Sequence, residues 1–130
     1  MELTVTQEVG RVPVTVLHIQ GALDRDGPLV SKAQELFDAG TRNLLLDMSK
    51  TPFMNSVGLR AIHQVFNLLR AADPSESEET VRAGLRSGKY KEAHFKLLKP
   101  SKDVRSTLHM TGYDMFVEIY DDYREAVDSF

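Results

Sequence analysis

The chain has 130 residues, 42% of them hydrophobic and 27% charged, which is the length and composition of one soluble globular domain. Its formal net charge of −3 at pH 7 gives no long-range attraction for phosphate backbones or anionic lipids, so nucleic acid and membrane surfaces are poor partners. There is no cysteine, which excludes disulfides and thiol catalysis and suits a reducing compartment.

The start of the chain is unlike that of an exported protein. Residues 1–8 lack the basic start and the continuous apolar stretch of a signal peptide. No later run reaches the ~18 apolar residues that a membrane-spanning helix needs. We therefore expect a cytoplasmic protein with no membrane insertion.

The first half of the chain alternates strand and helix patterns. Residues 12–20 alternate at period two, with His18 on the same face as three valines, and predict a strand that is covered on both faces. A helical pattern follows and ends at Gly40, a residue free to take positive φ. Residues 43–48 are too short for an average helix and too apolar for an exposed edge, and they predict a buried central strand parallel to a neighbour.

A second helix pattern begins near Ser56, whose hydroxyl is placed like an N-cap. The apolar stripe of this helix is formed by Ala61, Ile62, Val65, Leu68 and Leu69. Residues 73–92 then interrupt the pattern with Pro74 and an acidic-polar run. Because this stretch offers little to bury, we expect a mobile or projecting insertion.

Regular patterns return after the insertion. They predict a strand at 94–98, a capped helix at 101–110, a strand at 115–120 and a terminal helix at 122–130. Strands and helices thus alternate after an N-terminal pair of strands. The sequence predicts an α/β fold with a mixed central β-sheet flanked by about four helices, in a single domain over residues 1–130.

No residue pattern points to catalysis, a metal or a cofactor. The four histidines, at positions 18, 63, 94 and 109, are isolated and lack acidic partners at metal-ligand spacing. Ser56 lies two residues before Gly58, as in a nucleophile elbow, but Met54 replaces the first glycine of that motif. His63 lies two helical turns, or ~10 Å, beyond Ser56 and cannot act as its base. Local chemistry alone favours the interpretation that Ser56 only caps the helix and Gly58 only allows close packing against the sheet.

Residues 53–59, Phe-Met-Asn-Ser-Val-Gly-Leu, resemble the F-[MI]-D-S-[ST]-G-L signature of bacterial anti-sigma factor antagonists, which carry the STAS domain shared with sulfate transporter tails. Three further segments are similar to elements of this family in the right order. They are residues 21–24 (Gly-Ala-Leu-Asp), 44–48 (Leu-Leu-Leu-Asp-Met) and 111–116 (Thr-Gly-Tyr-Asp-Met-Phe). The resemblance covers nearly the whole chain and implies a STAS fold.

The resemblance also implies a function and a site. It makes Ser56 the phosphoacceptor, places Asp24 beside the phosphate, and implies binding to a GHKL-type anti-sigma serine kinase in the unphosphorylated form. Phosphorylation would release the kinase and a serine phosphatase would reset the switch. The resemblance thus implies a protein that regulates transcription by partner switching and is not an enzyme. The implied partner-binding residues are Asp24, Asn55, Ser56, Val57, Gly58 and Leu59.

Two departures from the signature keep other functions open. Asn55 stands where the family usually has aspartate, and Val57 stands where it often has a second serine or threonine. Together with the long insertion at 73–92, they allow a non-phosphorylated STAS scaffold or a regulatory subunit of a stress-signalling or transporter complex. An enzyme with Ser56 as nucleophile is disfavoured by the absent base, and a homodimer is compatible with any of these functions.

Overall fold

The computed structural model describes residues 1–71 and 92–130. The insertion predicted at 73–92 lies outside the described residues except for its last member. Glu92 is buried, and its backbone N–H donates a 2.9 Å hydrogen bond to the carbonyl of Phe116. The predicted mobility therefore does not extend to Glu92.

A five-stranded mixed sheet forms the centre of the described structure. Its strands are β1 (Glu2–Val9), β2 (Pro13–Gln20), β3 (Leu44–Lys50), β4 (Phe95–Leu98) and β5 (Ile119–Tyr120), in the spatial order β1-β2-β3-β4-β5. The pair β1 and β2 is antiparallel, and every later neighbour is parallel. The prediction of a central parallel strand at 43–48 is confirmed.

Four α-helices accompany the sheet within residues 1–71 and 92–130, and the sequence predicted about four. They are α1 (Gly27–Asp38), α2 (Ser56–Ala71), α3 (Lys102–Met110) and α4 (Tyr123–Asp128). The side chains of Ser101 and Asp122 cap α3 and α4 by accepting backbone N–H groups, and Gly40 follows α1 with φ of +110°. No helix in the described residues is long and apolar enough to cross a membrane.

The two faces of the sheet are buried by different helices. Alternate residues of β2, β3 and β4, among them Leu17, Leu46 and Leu97, pack with α1, α2 and α3 in the larger core. The intervening residues, including Val16 and Leu45, pack with α4 on the other face. Because successive side chains of a strand point to opposite faces, strands covered on both sides read as continuous apolar runs.

The strand predicted at 115–120 is wrong over its first part. Only Ile119–Tyr120 pairs with β4, and Tyr113–Met115 forms a 3₁₀ turn that begins after Gly112 with φ of +76°. Tyr113 is buried, and its ring lies 4.8 Å from that of Phe116. The apolar pattern predicted an extended backbone here. The chain turns instead, because the turn packs both rings against the core.

A hydrogen-bonded histidine lies on the sheet face that α4 packs against. His18 donates from Nδ1 to Asp47 Oδ2 at 2.6 Å, and its Nε2 lies 2.9 Å from the Thr6 hydroxyl. His18 is therefore a hydrogen-bonded side chain of the sheet. Burial by itself raises the pKa of the Asp47 carboxyl, but hydrogen bonds from Ser49 and His18 outweigh it, so the pKa lies below its usual value.

We predict that Asp47→Asn destabilises the fold by about 1 kcal/mol at pH 7, because a charge-assisted hydrogen bond becomes a neutral one. Since folding lowers this pKa, the carboxylate stabilises the native state above the unfolded-state value of about 3.9, and the gain is lost on acidification. Urea unfolding at pH 7, 5 and 3.5 measures the difference from wild type, which should shrink at the lowest pH. Asp38→Asn, on an exposed carboxylate, is the control.

Candidate functional site

Two loops run side by side at the carboxyl ends of β2 and β3. The Leu23 N–H donates to the Phe53 carbonyl at 2.9 Å, and Leu23 forms a parallel bridge with Met54. Both Leu23 and Met54 are buried. Parallel neighbouring strands deliver their following loops to the same sheet edge. This pairing therefore brings the segment containing Asp24 next to the start of α2.

Gly58 allows α2 to begin directly against the first loop. A Cβ atom at this position would lie 2.1 Å from the Leu23 carbonyl oxygen, far inside van der Waals contact. The resemblance implied that Gly58 contacts a partner, but Gly58 is buried and lies beneath the surface. Its role in the structure is to hold the loop that carries Asp24 against α2.

Asn55, not Ser56, caps α2. The Asn55 side-chain oxygen accepts the Gly58 N–H at 3.0 Å, and the Asn55 carbonyl accepts the Leu59 N–H at 3.0 Å. The expectation that Ser56 is the N-cap is therefore wrong by one position, because asparagine is as good a cap as serine and precedes it. Ser56 is instead the first residue of the helix.

The remaining residues of the predicted site form one surface. Asp24 and Ser56 are exposed, while Asn55, Val57 and Leu59 are half-buried. Within residues 1–71 and 92–130, neither the Asp24 carboxylate nor the Ser56 hydroxyl has a recorded hydrogen bond or ion pair. We call the group Asp24, Asn55, Ser56, Val57 and Leu59 the serine surface. An enzyme or a partner can reach its hydroxyl without unfolding the domain.

Sequence reasoning missed three residues at the border of the serine surface. Phe53 is 51% exposed although its backbone carbonyl is paired with Leu23. The Arg60 Nε atom lies 3.9 Å from the Asp26 carboxylate, so this ion pair joins α2 to the start of α1. Phe53 is the first residue of the recognised segment and could have been included. The Asp26–Arg60 contact has no sequence signal, since it depends on how two helices meet.

The histidine nearest to Ser56 along α2 is engaged elsewhere. His63 Nδ1 lies 3.0 Å from the Tyr113 hydroxyl, and its ring stacks on Phe66. Among the described residues, no three histidine or acidic side chains are placed to hold a metal ion. The surface around Ser56 presents a hydroxyl, an amide, a carboxylate and apolar groups, with the Asp26–Arg60 ion pair at its border.

No known family profile and no curated protein sequence matches the chain. Solved structures nevertheless share its fold. An anti-sigma factor antagonist from Mycobacterium paratuberculosis matches with a TM-score of 0.64 and 20% identity, over 97% of this chain and 92% of that one. The anti-sigma factor antagonist SpoIIAA in its unphosphorylated form matches with a TM-score of 0.60 and 15% identity, over 95% and 92%. The chain has the STAS fold of these antagonists, as the resemblance implied.

A second kind of protein also has this fold. A sulfate transporter family protein from Wolinella succinogenes matches with a TM-score of 0.53 and 14% identity, over 88% of this chain and 81% of that one. At such identities the likeness establishes the fold alone, and one fold hosts several functions. The function must therefore be argued from the serine surface.

We predict that Gly58→Ala destabilises the protein by about 2 kcal/mol or more, because the added methyl group meets the Leu23 carbonyl oxygen, a backbone atom that cannot move aside as the end of a flexible side chain can. Urea unfolding measures the loss. Gly27→Ala is the matched control, since no atom lies within 4 Å of a Cβ there. Equal stability of the two variants would contradict the close contact between α2 and Leu23.

Proposed function

We propose that this protein is an anti-sigma factor antagonist that binds a GHKL-type anti-sigma serine kinase while Ser56 is unphosphorylated. The kinase transfers the γ-phosphoryl group of ATP to the Ser56 oxygen, with loss of the hydroxyl proton and release of ADP. The modified protein dissociates, and a serine phosphatase restores it. The protein itself acts in the cytoplasm as a binding component and not as an enzyme.

The position of Ser56 carries this proposal. The hydroxyl is exposed at the first residue of a long helix, beside a loop fixed by backbone hydrogen bonds. A kinase can therefore approach it without rearranging the fold. Phe53 adds an exposed aromatic ring at the border of the serine surface, and aromatic residues are enriched among the groups that dominate binding energy at interfaces.

Phosphorylation changes the charge of this surface more than its shape. A phosphoserine carries roughly −1.5 to −2 charges at pH 7, and the N–H groups of a first helical turn favour an anion. The first turn of α2 contains no acidic residue that would repel it. The domain should therefore stay folded. A partner that had docked on Val57 and Leu59, the apolar residues of the serine surface, would now meet a dianion next to Asp24.

A non-phosphorylated scaffold or transporter-associated role is the second candidate. Two observations favour it: Asn55 stands where the antagonist signature has aspartate, and the sulfate transporter family protein has the same fold. In this role the serine surface would bind a partner permanently. Phosphate incorporation separates the two candidates, because only the switch requires it.

We predict that Ser56→Ala binds the kinase but accepts no phosphate, whereas Ser56→Asp folds normally and binds weakly. If the charge costs ~3 kcal/mol at the interface, affinity falls more than a hundredfold. The assay incubates each protein with the purified anti-sigma serine kinases of the source genome and ATP, followed by intact mass and calorimetric titration. Ser106→Asp, an exposed serine on α3, controls for added charge.

Two outcomes would contradict the switch. Kinase binding without phosphate incorporation into the wild-type protein would favour the scaffold. Incorporation at Ser56 that leaves kinase affinity unchanged would show that the site is modified but does not control binding.

We also predict that Phe53→Ala weakens kinase binding at least about tenfold while changing the free energy of unfolding by less than about 1 kcal/mol, because half of the ring is exposed and free to pack on a partner. Calorimetric titration and urea unfolding measure the two quantities. Met110→Ala, which removes a side chain that is 82% exposed on α3, is the control and should leave affinity unchanged. A parallel loss of affinity in both variants would argue against an interface centred on Ser56.

A further inference from the structure

Arg60 lies on the same side of α2 as Ser56 and has a weakly held partner. Residues four apart on a helix are neighbours on its surface, with Cβ atoms ~5–6 Å apart. The Arg60 side chain is 62% exposed, and its Nε atom is 3.9 Å from Asp26 Oδ2, the outer limit of an ion pair. Exposed pairs of this kind contribute little to stability, so the guanidinium can change partner easily.

The Asp26 side chain does not cap α1, although Asp26 is at the N-cap position. It occupies the N-cap of α1 but has helical backbone angles of −91° and −39°, and its side chain makes no capping hydrogen bond. Within the described residues, the Asp26 carboxylate interacts with Arg60. An aspartate at an N-cap normally accepts a backbone N–H. Here the carboxylate faces α2 instead, and holds Arg60 one turn beyond Ser56.

Helix N–H groups alone supply only part of what a phosphate on Ser56 would need. The Gly58 N–H, a first-turn donor that has no partner within the helix ladder, is already bonded to the Asn55 side chain. A dianion at the first helical position therefore gains fewer backbone donors than an uncapped helix would give. A guanidinium one turn away offers several N–H donors in a planar arrangement that matches phosphate oxygens.

We propose that Arg60 is the intramolecular ligand of the Ser56 phosphate, and that it exchanges Asp26 for the phosphate when Ser56 is modified. This inference rests on the proposed phosphorylation of Ser56 and names the residue that would bind the phosphate. The exchange holds the phosphate against its own domain. It also leaves Asp26 without its cation, next to the exposed Asp24, so the surface facing a partner becomes more acidic than the phosphate alone would make it.

The test uses the full chain with phosphoserine installed at position 56 during translation, so that no kinase is needed. The pH dependence of the ³¹P chemical shift at low salt gives the second pKa of the phosphate, ordinarily about 6. Arg60→Gln should raise this pKa by roughly 0.3 to 0.5, because the dianion loses a neighbouring cation. Arg11→Gln makes the same charge change in the β1–β2 turn, at the opposite end of the sheet, and should shift it by less than about 0.1.

The exchange of Asp26 for the phosphate also predicts how Asp26→Asn changes the phosphate pKa. Asp26→Asn should lower the phosphate pKa in the chain that keeps Arg60, and by clearly less in the Arg60→Gln background. Equal phosphate pKa values in Arg60→Gln and Arg11→Gln overturn the proposal, and equal effects of Asp26→Asn in both backgrounds overturn the exchange. Kinases that fail to modify Ser56 would remove the proposed function but leave this titration unchanged, so the two can fail separately.

Discussion

The candidate site depends on one contact, the approach of the first turn of α2 to the Leu23 backbone. No side chain fits between them, since even a Cβ at Gly58 would come within 2.1 Å of the Leu23 oxygen. That approach lets Leu23 pair with Phe53 and Met54, and it places an exposed hydroxyl beside an exposed carboxylate. A larger residue at position 58 would separate the two loops and disperse the surface, even if the sheet remained intact.

The sheet provides the rigid base for this contact. Because β2 and β3 are parallel neighbours, the loops that follow them leave at the same edge, and fully buried leucines on both strands fix the strands below. Each such side chain contributes roughly 1.5–3 kcal/mol when buried. The serine surface adds little to that stability, since its members Asp24 and Ser56 are exposed. Its residues are therefore free to be selected for binding.

Most of the fold could be predicted because its signals are local. Apolar runs, caps and turn glycines each act within a few residues. The cap at Ser101 and the glycine at Gly40 appear where the pattern placed them, while the cap of α2 lies one residue away, at Asn55. The start of the strand at 115–120 could not be predicted, because rings from separate elements draw Tyr113 into the core. The Asp26–Arg60 pair was invisible for the same reason. The sequence motif located the serine surface but not the charges that surround it.

Asn55 is the departure from the antagonist signature with the clearest physical consequence. It retains the cap, since its side-chain oxygen accepts the Gly58 N–H just as an aspartate oxygen would. It removes one negative charge from the residue next to Ser56, so a phosphate there meets less repulsion from its own chain. Its amide N–H groups also remain as donors. The substitution thus favours the phosphorylated protein itself, and any penalty it imposes must arise in a partner that expects a carboxylate. For the proposed switch, Asn55 therefore bears on the choice of partner, and not on whether the surface can hold a phosphate.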